Sequence, residues 1–440
     1  MTTRGLRPAA RRLLLAALSA PLIAACSLDN QTIGTAPTPP NPSGGALFAR
    51  YFAIGTSIGA GIQSGGINDS TQKQAYPYLL ATAMGLTPGV NWHYPALAMP
   101  GCPAPYTNTL TGARVGNGAA TGCAYRTTAS VYPLMNNVGI PSIRAAQVLN
   151  LRDLTYPGTD SLKLAQFLTG SVDPIAMVAA GQATFVTLEM GANDVLGAAT
   201  HGDTTLLTPL ANFEASFTAI ADSLDHIGAK VAVANVPNVT VIPHFSAGVV
   251  FFCLNTGAPG CPVGATPPYN SPTFIVDASC APSSVGGVGD QMLVGFTATA
   301  TITQVLAAGG AATLNCGAGT ATVNLGAGFT PTGPVLSKPT TTAIATEVGQ
   351  IDAFIQAQAT SRGWAYVDLN GLLAGAVASG DIPPFPNFAD PSHLFGSEVP
   401  GHPDLISYDG IHPTGAAHVL IADAFVAAIN AKFGTSLTAP

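Results

Sequence analysis

Three short motifs, far apart in this chain of 440 residues, carry side chains that could work on one bond. Gly55-Thr56-Ser57 follows an apolar run at 51–54, and Gly191-Ala192-Asn193-Asp194 follows a second run at 184–190. Asp409-Gly410-Ile411-His412-Pro413 lies near the C-terminus. A hydroxyl, a side-chain amide and an Asp/His pair three residues apart are the groups that acyl transfer from an ester requires. In that chemistry Ser57 attacks, His412 takes its proton, Asp409 orients the imidazole and the Asn193 amide donates to the oxyanion. The three-residue separation lets the carboxylate reach Nδ1 of His412 while Nε2 faces the nucleophile. An adjacent acid also raises the basicity of the imidazole. Each motif has a plainer reading: a turn serine, an Asx-turn at Asn193-Asp194, and a helix-capping loop at 409–413. Their spacing, order and placement after apolar runs favour the catalytic reading.

Such groups must be held by rigid elements. Apolar runs at 51–54, 184–190, 230–236 and 364–369 are continuous rather than alternating, as in parallel strands covered on both faces. Helical patterns lie between them. Phe213, Phe217, Ile220, Leu224 and Ile227 step by four and three, and Gly228 follows as a C-cap. Ile344, Val348, Ile351 and Ile355 repeat the pattern, as do Val419, Ala422, Val426 and Ile429. The alternation predicts a doubly wound, flavodoxin-like α/β fold: a parallel sheet of about five strands with helices on both faces. In such sheets ligands bind beyond the carboxyl ends of the strands, where Ser57 and Asn193 would stand.

The chain is longer than such a domain needs. Residues 91–133 hold Cys102 and Cys123. Residues 243–340 hold Cys253, Cys261, Cys280 and Cys316 among many Gly, Pro and Thr. The second stretch reads as a disulfide-stapled insertion, with β-like runs at 297–305 and 321–325. Six cysteines allow 15 pairings. Sequence proximity favours Cys102–Cys123, Cys253–Cys261 and Cys280–Cys316, without deciding the matter. A zinc site is the rival reading, but no Cys-x-x-Cys is present.

The N-terminus reads as a targeting segment over residues 1–25. Arg4, Arg7, Arg11 and Arg12 precede a short apolar stretch at 13–23, too short for a stable bilayer span. Residues 26–46 contain Pro37, Pro39, Pro40 and Pro42 and form a linker to a body at 47–436. Removing the four arginines takes the formal charge from −7 to −11. A body this acidic has no basic stripe for phosphates, so nucleic acid is not an expected partner. Only 8% of residues are charged and 47% are hydrophobic, which excludes disorder on compositional grounds.

The order and wording of the motifs resemble the SGNH, or GDSL, hydrolase superfamily, over about 51–433. The family motif is Gly-Asp-Ser, and Thr56 stands where the Asp would be. Asn136-Asn137-Val138-Gly139-Ile140-Pro141-Ser142 resembles the second family block. That match implies that Ser142 supplies an oxyanion-hole backbone N–H beside those of Ser57 and the Asn193 amide. Gly55, Gly191 and Asp194 match supporting positions. The resemblance implies a cofactor-free, metal-free serine esterase or lipase, expected to be a monomer. Tyr51, Phe52, Tyr76, Tyr78 and Leu79 near the motifs suggest an acyl or lipid ester, or else core packing. Polysaccharide O-deacetylation is an alternative within the superfamily, and a non-catalytic surface-binding lipoprotein is one outside it. Ile23-Ala24-Ala25-Cys26 resembles the bacterial lipobox. That implies lipidation of Cys26 and an extracytoplasmic, membrane-anchored protein at the outer membrane or cell surface. An ordinary secretory signal is the alternative. Asp390, His393, His402, Asp404 and His418 crowd the same region as Asp409 and His412; as Asp and His they could bind a metal. Prolines break that region into turns, and the expectation is loop residues lining a cleft mouth.

Overall fold

Four of the apolar runs become strands, and they pair in chain order. The computed structural model describes residues 45–108, 112–118, 134–151, 168–170, 172–259, 261, 264–324, 334–382 and 404–440. All lie within the second of the chain's two units, Asn41–Pro440. The segment 1–25, with Cys26, Cys123, Asp390, His393 and His402, lies outside the described residues. Tyr51–Ile54, Phe185–Glu189, Lys230–Ala234 and Ala365–Val367 form one four-stranded sheet in that order. Every pairing is parallel, with Ile54 opposite Leu188, Glu189 opposite Ala234, and Ala234 opposite Val367. The sequence suggested about five strands. In place of a fifth, Asn137 makes a single parallel bridge to Ala53, on the edge of Tyr51–Ile54 away from Phe185–Glu189. The Ala53 N–H donates to Asn136 O and the Val138 N–H to Ala53 O. Gly139 and Pro141 follow at once, and proline cannot extend a ladder.

Side chains leave the strands in alternation and enter two apolar clusters. Phe52, Ile54, Val186, Leu188, Val231 and Val233 join the first. Tyr51, Ala53, Phe185, Ala232 and Ala234 join the second. Helices cover both. Leu210–Ile227 buries Phe213, Phe217, Ile220 and Leu224 in the first, and Gly228 at φ 79° ends it as the sequence suggests. Lys338–Arg362 adds Ile344, Val348, Ile351 and Ile355. Tyr76–Ala83 and Gly415–Phe433 cover the second, with the Tyr76 and Phe425 rings stacked 5.0 Å apart. Each buried aromatic or branched side chain contributes roughly 1.5–3 kcal/mol by leaving water. Gly415–Phe433 is long and apolar enough to cross a membrane, yet its Ile421, Phe425 and Ile429 are buried among core residues.

The stretch after the third strand has a core of its own. Phe245–Ala247, Leu293–Gly295 and Val335–Leu336 form one small sheet; Phe274–Val276, Ala311–Asn315 and Thr320–Asn324 form another. Phe251, Tyr269, Ile302, Leu314 and Val323 pack between them with Cys280 and Cys316. Two expected disulfides are present, Cys253–Cys261 and Cys280–Cys316. Cys102 is also disulfide-bonded, while its expected partner Cys123 falls outside the described residues. Thr320–Asn324 fits the expected β-run at 321–325. The run at 297–305 does not, because it lies in a helix, Phe296–Ala307. Its buried Ala298, Thr299, Ile302, Val305 and Leu306 follow helical spacing, and burial of that stripe overrides the β preference of its Thr, Ile and Val residues.

Candidate active site

Ser57 is the first residue of a one-turn helix, Ser57–Ala60, directly beyond the first strand. The turn that carries it is fixed from beneath. Glu189, the last residue of the neighbouring strand, is 2% exposed. Its carboxyl accepts the Thr56 N–H at 2.9 Å and the Thr56 hydroxyl at 2.9 Å. A Cβ at Gly55 would lie 3.2 Å from Glu189 Oε2 and 3.4 Å from the Tyr76 hydroxyl, so any side chain there would crowd the carboxyl that holds the turn. Burial pushes the Glu189 carboxyl up to about 7, against the opposing pull of the Thr56 hydrogen bonds, the Gly59 N–H and His412. Thr56, where the resembled motif has Asp, thus meets a carboxyl supplied by the next strand.

The Ser57 Oγ lies 2.9 Å from His412 Nε2, and His412 Nδ1 lies 2.7 Å from Asp409 Oδ2. Asp409 Oδ1 accepts the N–H groups of Ile411 and His412, both at 2.9 Å. Gly65, from the loop after the nucleophile, donates its N–H to Oδ2 at 2.6 Å. Burial alone would raise this carboxyl. The His412 ring beside it, the hydrogen bond from that ring and the two loop N–H groups outweigh burial and hold it at about 2. Ionised, Asp409 can only accept, so Nδ1 carries the imidazole proton. Nε2 is then the acceptor for the Ser57 hydroxyl.

Asn193 lies in the first turn of Ala192–His201, after the second strand. Gly191 before it has φ 119°, and a Cβ there would meet Val236 Cγ2 at 2.6 Å, so only glycine makes this turn. The Asn193 amide donates to Ile143 O at 2.9 Å, which fixes its orientation and leaves its second N–H for a ligand. Asp194 Oδ2 accepts the Ala145 N–H at 3.2 Å, joining this turn to the loop that carries Ser142. Burial raises the Asp194 carboxyl to about 6 against the pull of Thr208, Ala145 and Arg144. Ser57, Asn193 and His412 line one pocket with Thr56, Ile58 and Ile411. Ser142 does not line it. It adopts φ 64°, a conformation most often left to glycine, one residue before Ile143.

Of the two readings of the aromatic residues near the motifs, core packing holds for three. Tyr51, Phe52 and Tyr76 are core residues; the apolar surface beside Ser57 comes instead from Ile58, Leu196, Val239, Ile242 and Ile411. His418 is not at a cleft mouth: it is fully buried, accepts the Tyr76 N–H at 3.3 Å, and burial holds its imidazole at about 3. Among the described residues, no three His, Cys, Asp or Glu are grouped to hold a metal.

Compared with protein-family models and with curated proteins, the chain matches none.

The sequence reading missed the supports of the Asp409 loop. The Ser407 hydroxyl accepts the Ser64 N–H at 2.7 Å, and the Ser64 hydroxyl accepts the Tyr408 N–H at 3.2 Å. His244, at the root of the insertion, donates its backbone N–H to Gly410 O at 2.9 Å, and its Nδ1 lies 3.1 Å from Asp409 O. Burial pushes the His244 imidazole below its usual range, so it donates to that carbonyl as a neutral ring. The Gly-rich turn 63–66 was the one local signal for these contacts.

Proposed function

We propose that this chain is a serine hydrolase of the SGNH type that cleaves carboxylic esters through an acyl-enzyme. The continuous chain from Ser57 Oγ through His412 to an ionised Asp409, with the Asn193 amide in the same pocket, carries the reading. Ser57 Oγ adds to the ester carbonyl as its proton passes to His412 Nε2. The Asn193 amide and the Ser57 N–H receive the oxyanion; Ser142, which does not line the pocket, has no part in it. Collapse expels the alcohol, which leaves with the proton from His412. Water then gives a proton to His412 and adds to the acyl group, and the acid departs as Ser57 regains its proton. No cofactor enters this scheme.

A doubly wound fold suits the reading. Counting the 136–138 segment as a second strand in chain order, the lateral order is 2-1-3-4-5. Ser57 and Asn193 then follow strands 1 and 3, on either side of the point where the order reverses. The test is covalent labelling by a fluorophosphonate together with hydrolysis of p-nitrophenyl esters. Both should vanish in a folded Ser57→Ala protein; wild-type rates in that variant would end the serine-hydrolase reading.

The lipobox-like Ile23-Ala24-Ala25-Cys26 supports a second proposal, that acyl chains on Cys26 tether the body to a bacterial membrane through the linker. Expressed in a bacterium, the protein should partition with membranes, and Cys26→Ser should release it. Soluble export of the unaltered chain would count against the anchor alone.

A further inference from the structure

A second cavity opens beside the nucleophile, and its described walls are carbon-rich. It shares Ile58, Pro237, Ile242 and Ile411 with the pocket of Ser57 and His412. Ile58 follows the nucleophile and Ile411 precedes the base, so the cavity begins where the scissile carbonyl would sit. It then runs between Leu369–Ser379 and Gly415–Phe433, past Ala376 and Ala417, with Ile382 and Leu405 behind. Among the described residues, no titratable or hydroxyl side chain lines it. Leu420, 39% exposed, stands where it meets solvent. Its volume is about 100 Å³.

These walls decide what can enter. A sugar hydroxyl or a charged acyl group would lose its water and find no partner, at a cost of several kcal/mol per group in apolar surroundings. A hydrocarbon chain gains with each methylene buried. Building on the ester-hydrolase reading, we infer that this cavity receives the acyl chain of the substrate, an unbranched fatty acyl group. An apolar cavity of ~150 Å³ holds a six-carbon ring, so this one encloses about four carbons, with further carbons lying along the open Leu420 side.

A chain-length series tests this. With p-nitrophenyl acetate, butyrate, hexanoate, octanoate and dodecanoate, kcat/KM should rise about fourfold for each methylene that enters the cavity, up to about four carbons, and more gently over the next few that lie along the open side. Ala376→Phe fills the cavity from a helix that carries no proposed catalytic group. It should lower the octanoate-to-acetate ratio of kcat/KM at least tenfold. Leu420→Lys, on the exposed rim and so safe for folding, should lower the same ratio in the same direction. A wild-type preference for acetate, or an unchanged ratio in both folded variants, overturns the assignment while leaving the ester-hydrolase reading intact. Failure to turn over any ester, with Ser57 unlabelled, overturns that reading and the cavity's role with it.

Discussion

Replacing Glu189 with glutamine should change how stability depends on pH. Glu189 is buried at the end of the second strand, where both its oxygens serve Thr56. Burial raises its carboxyl from 4.5 to about 7. Below pH 4.5 the folded and unfolded chains both hold the proton. Between pH 4.5 and 7 the unfolded chain releases it and the folded chain keeps it, so stability falls as pH rises. Above pH 7 the loss is complete. At about 1.4 kcal/mol per unit, the loss over that window is about 3 kcal/mol. Glutamine keeps an acceptor for Thr56 and nearly the same shape. Asp194 and Asp352, both raised to about 6 by burial, titrate in the same window in both proteins. The informative quantity is therefore the difference between the two. Urea unfolding at pH 4.5, 5.5, 6.5 and 7.5 should show Glu189→Gln gaining about 3 kcal/mol on the wild type across the series. Parallel curves would mean that Glu189 is ionised throughout, and the account of the turn beneath Ser57 would be wrong.

Asp409→Asn should lower kcat by about 10⁴-fold in a folded protein, because an amide no longer enforces the tautomer in which Nε2 accepts the serine proton; ester hydrolysis, measured where circular dichroism shows the variant folded, checks it. The pH dependence near this residue runs the other way: Asp409 is held at about 2, so its stabilisation is present above pH 3.8 and fades as pH falls toward 2. Replacing Cys280 and Cys316 together by serine frees a loop with a sequence separation of 36. On the chain-entropy account this costs about 4 kcal/mol, to be read by urea unfolding, with fluorophosphonate labelling of Ser57 retained.

What could be read from the sequence was local. The strands at 51–54 and 230–234, the Gly228 cap, and the Asp409-to-His412 spacing each depend on a few consecutive residues and elementary geometry. The two disulfides of the insertion were readable because sequence neighbours meet most often. The Glu189–Thr56 pair was not, since it depends on the register that sets Leu188 beside Ile54. Within the sequence Glu189 is simply the polar end of an apolar run. Gly65 gives Asp409 a backbone N–H, and a backbone donor has no residue type to betray it. His244 sat at the edge of an apparent insertion, and nothing local tied it to residues 409 and 410. The helix at Phe296–Ala307 was misread because its β-branched residues were weighed above the spacing of its buried ones.

The hydrogen bond between Ser57 and His412 spans 355 positions of sequence, and that between Gly65 and Asp409 spans 344. Nearly the whole body of the protein is thus the loop that must close before a base reaches the nucleophile. A chain growing from its N-terminus carries Ser57 through almost all of its synthesis as an ordinary alcohol. On the proposed mechanism, reactivity requires residues 409–412, which immediately precede Gly415–Phe433. Loss of the last forty residues by a cut or an early stop would therefore remove Asp409 and His412 and at the same time uncover the apolar cluster that Phe425 and Ile429 complete, so that site and core are lost together.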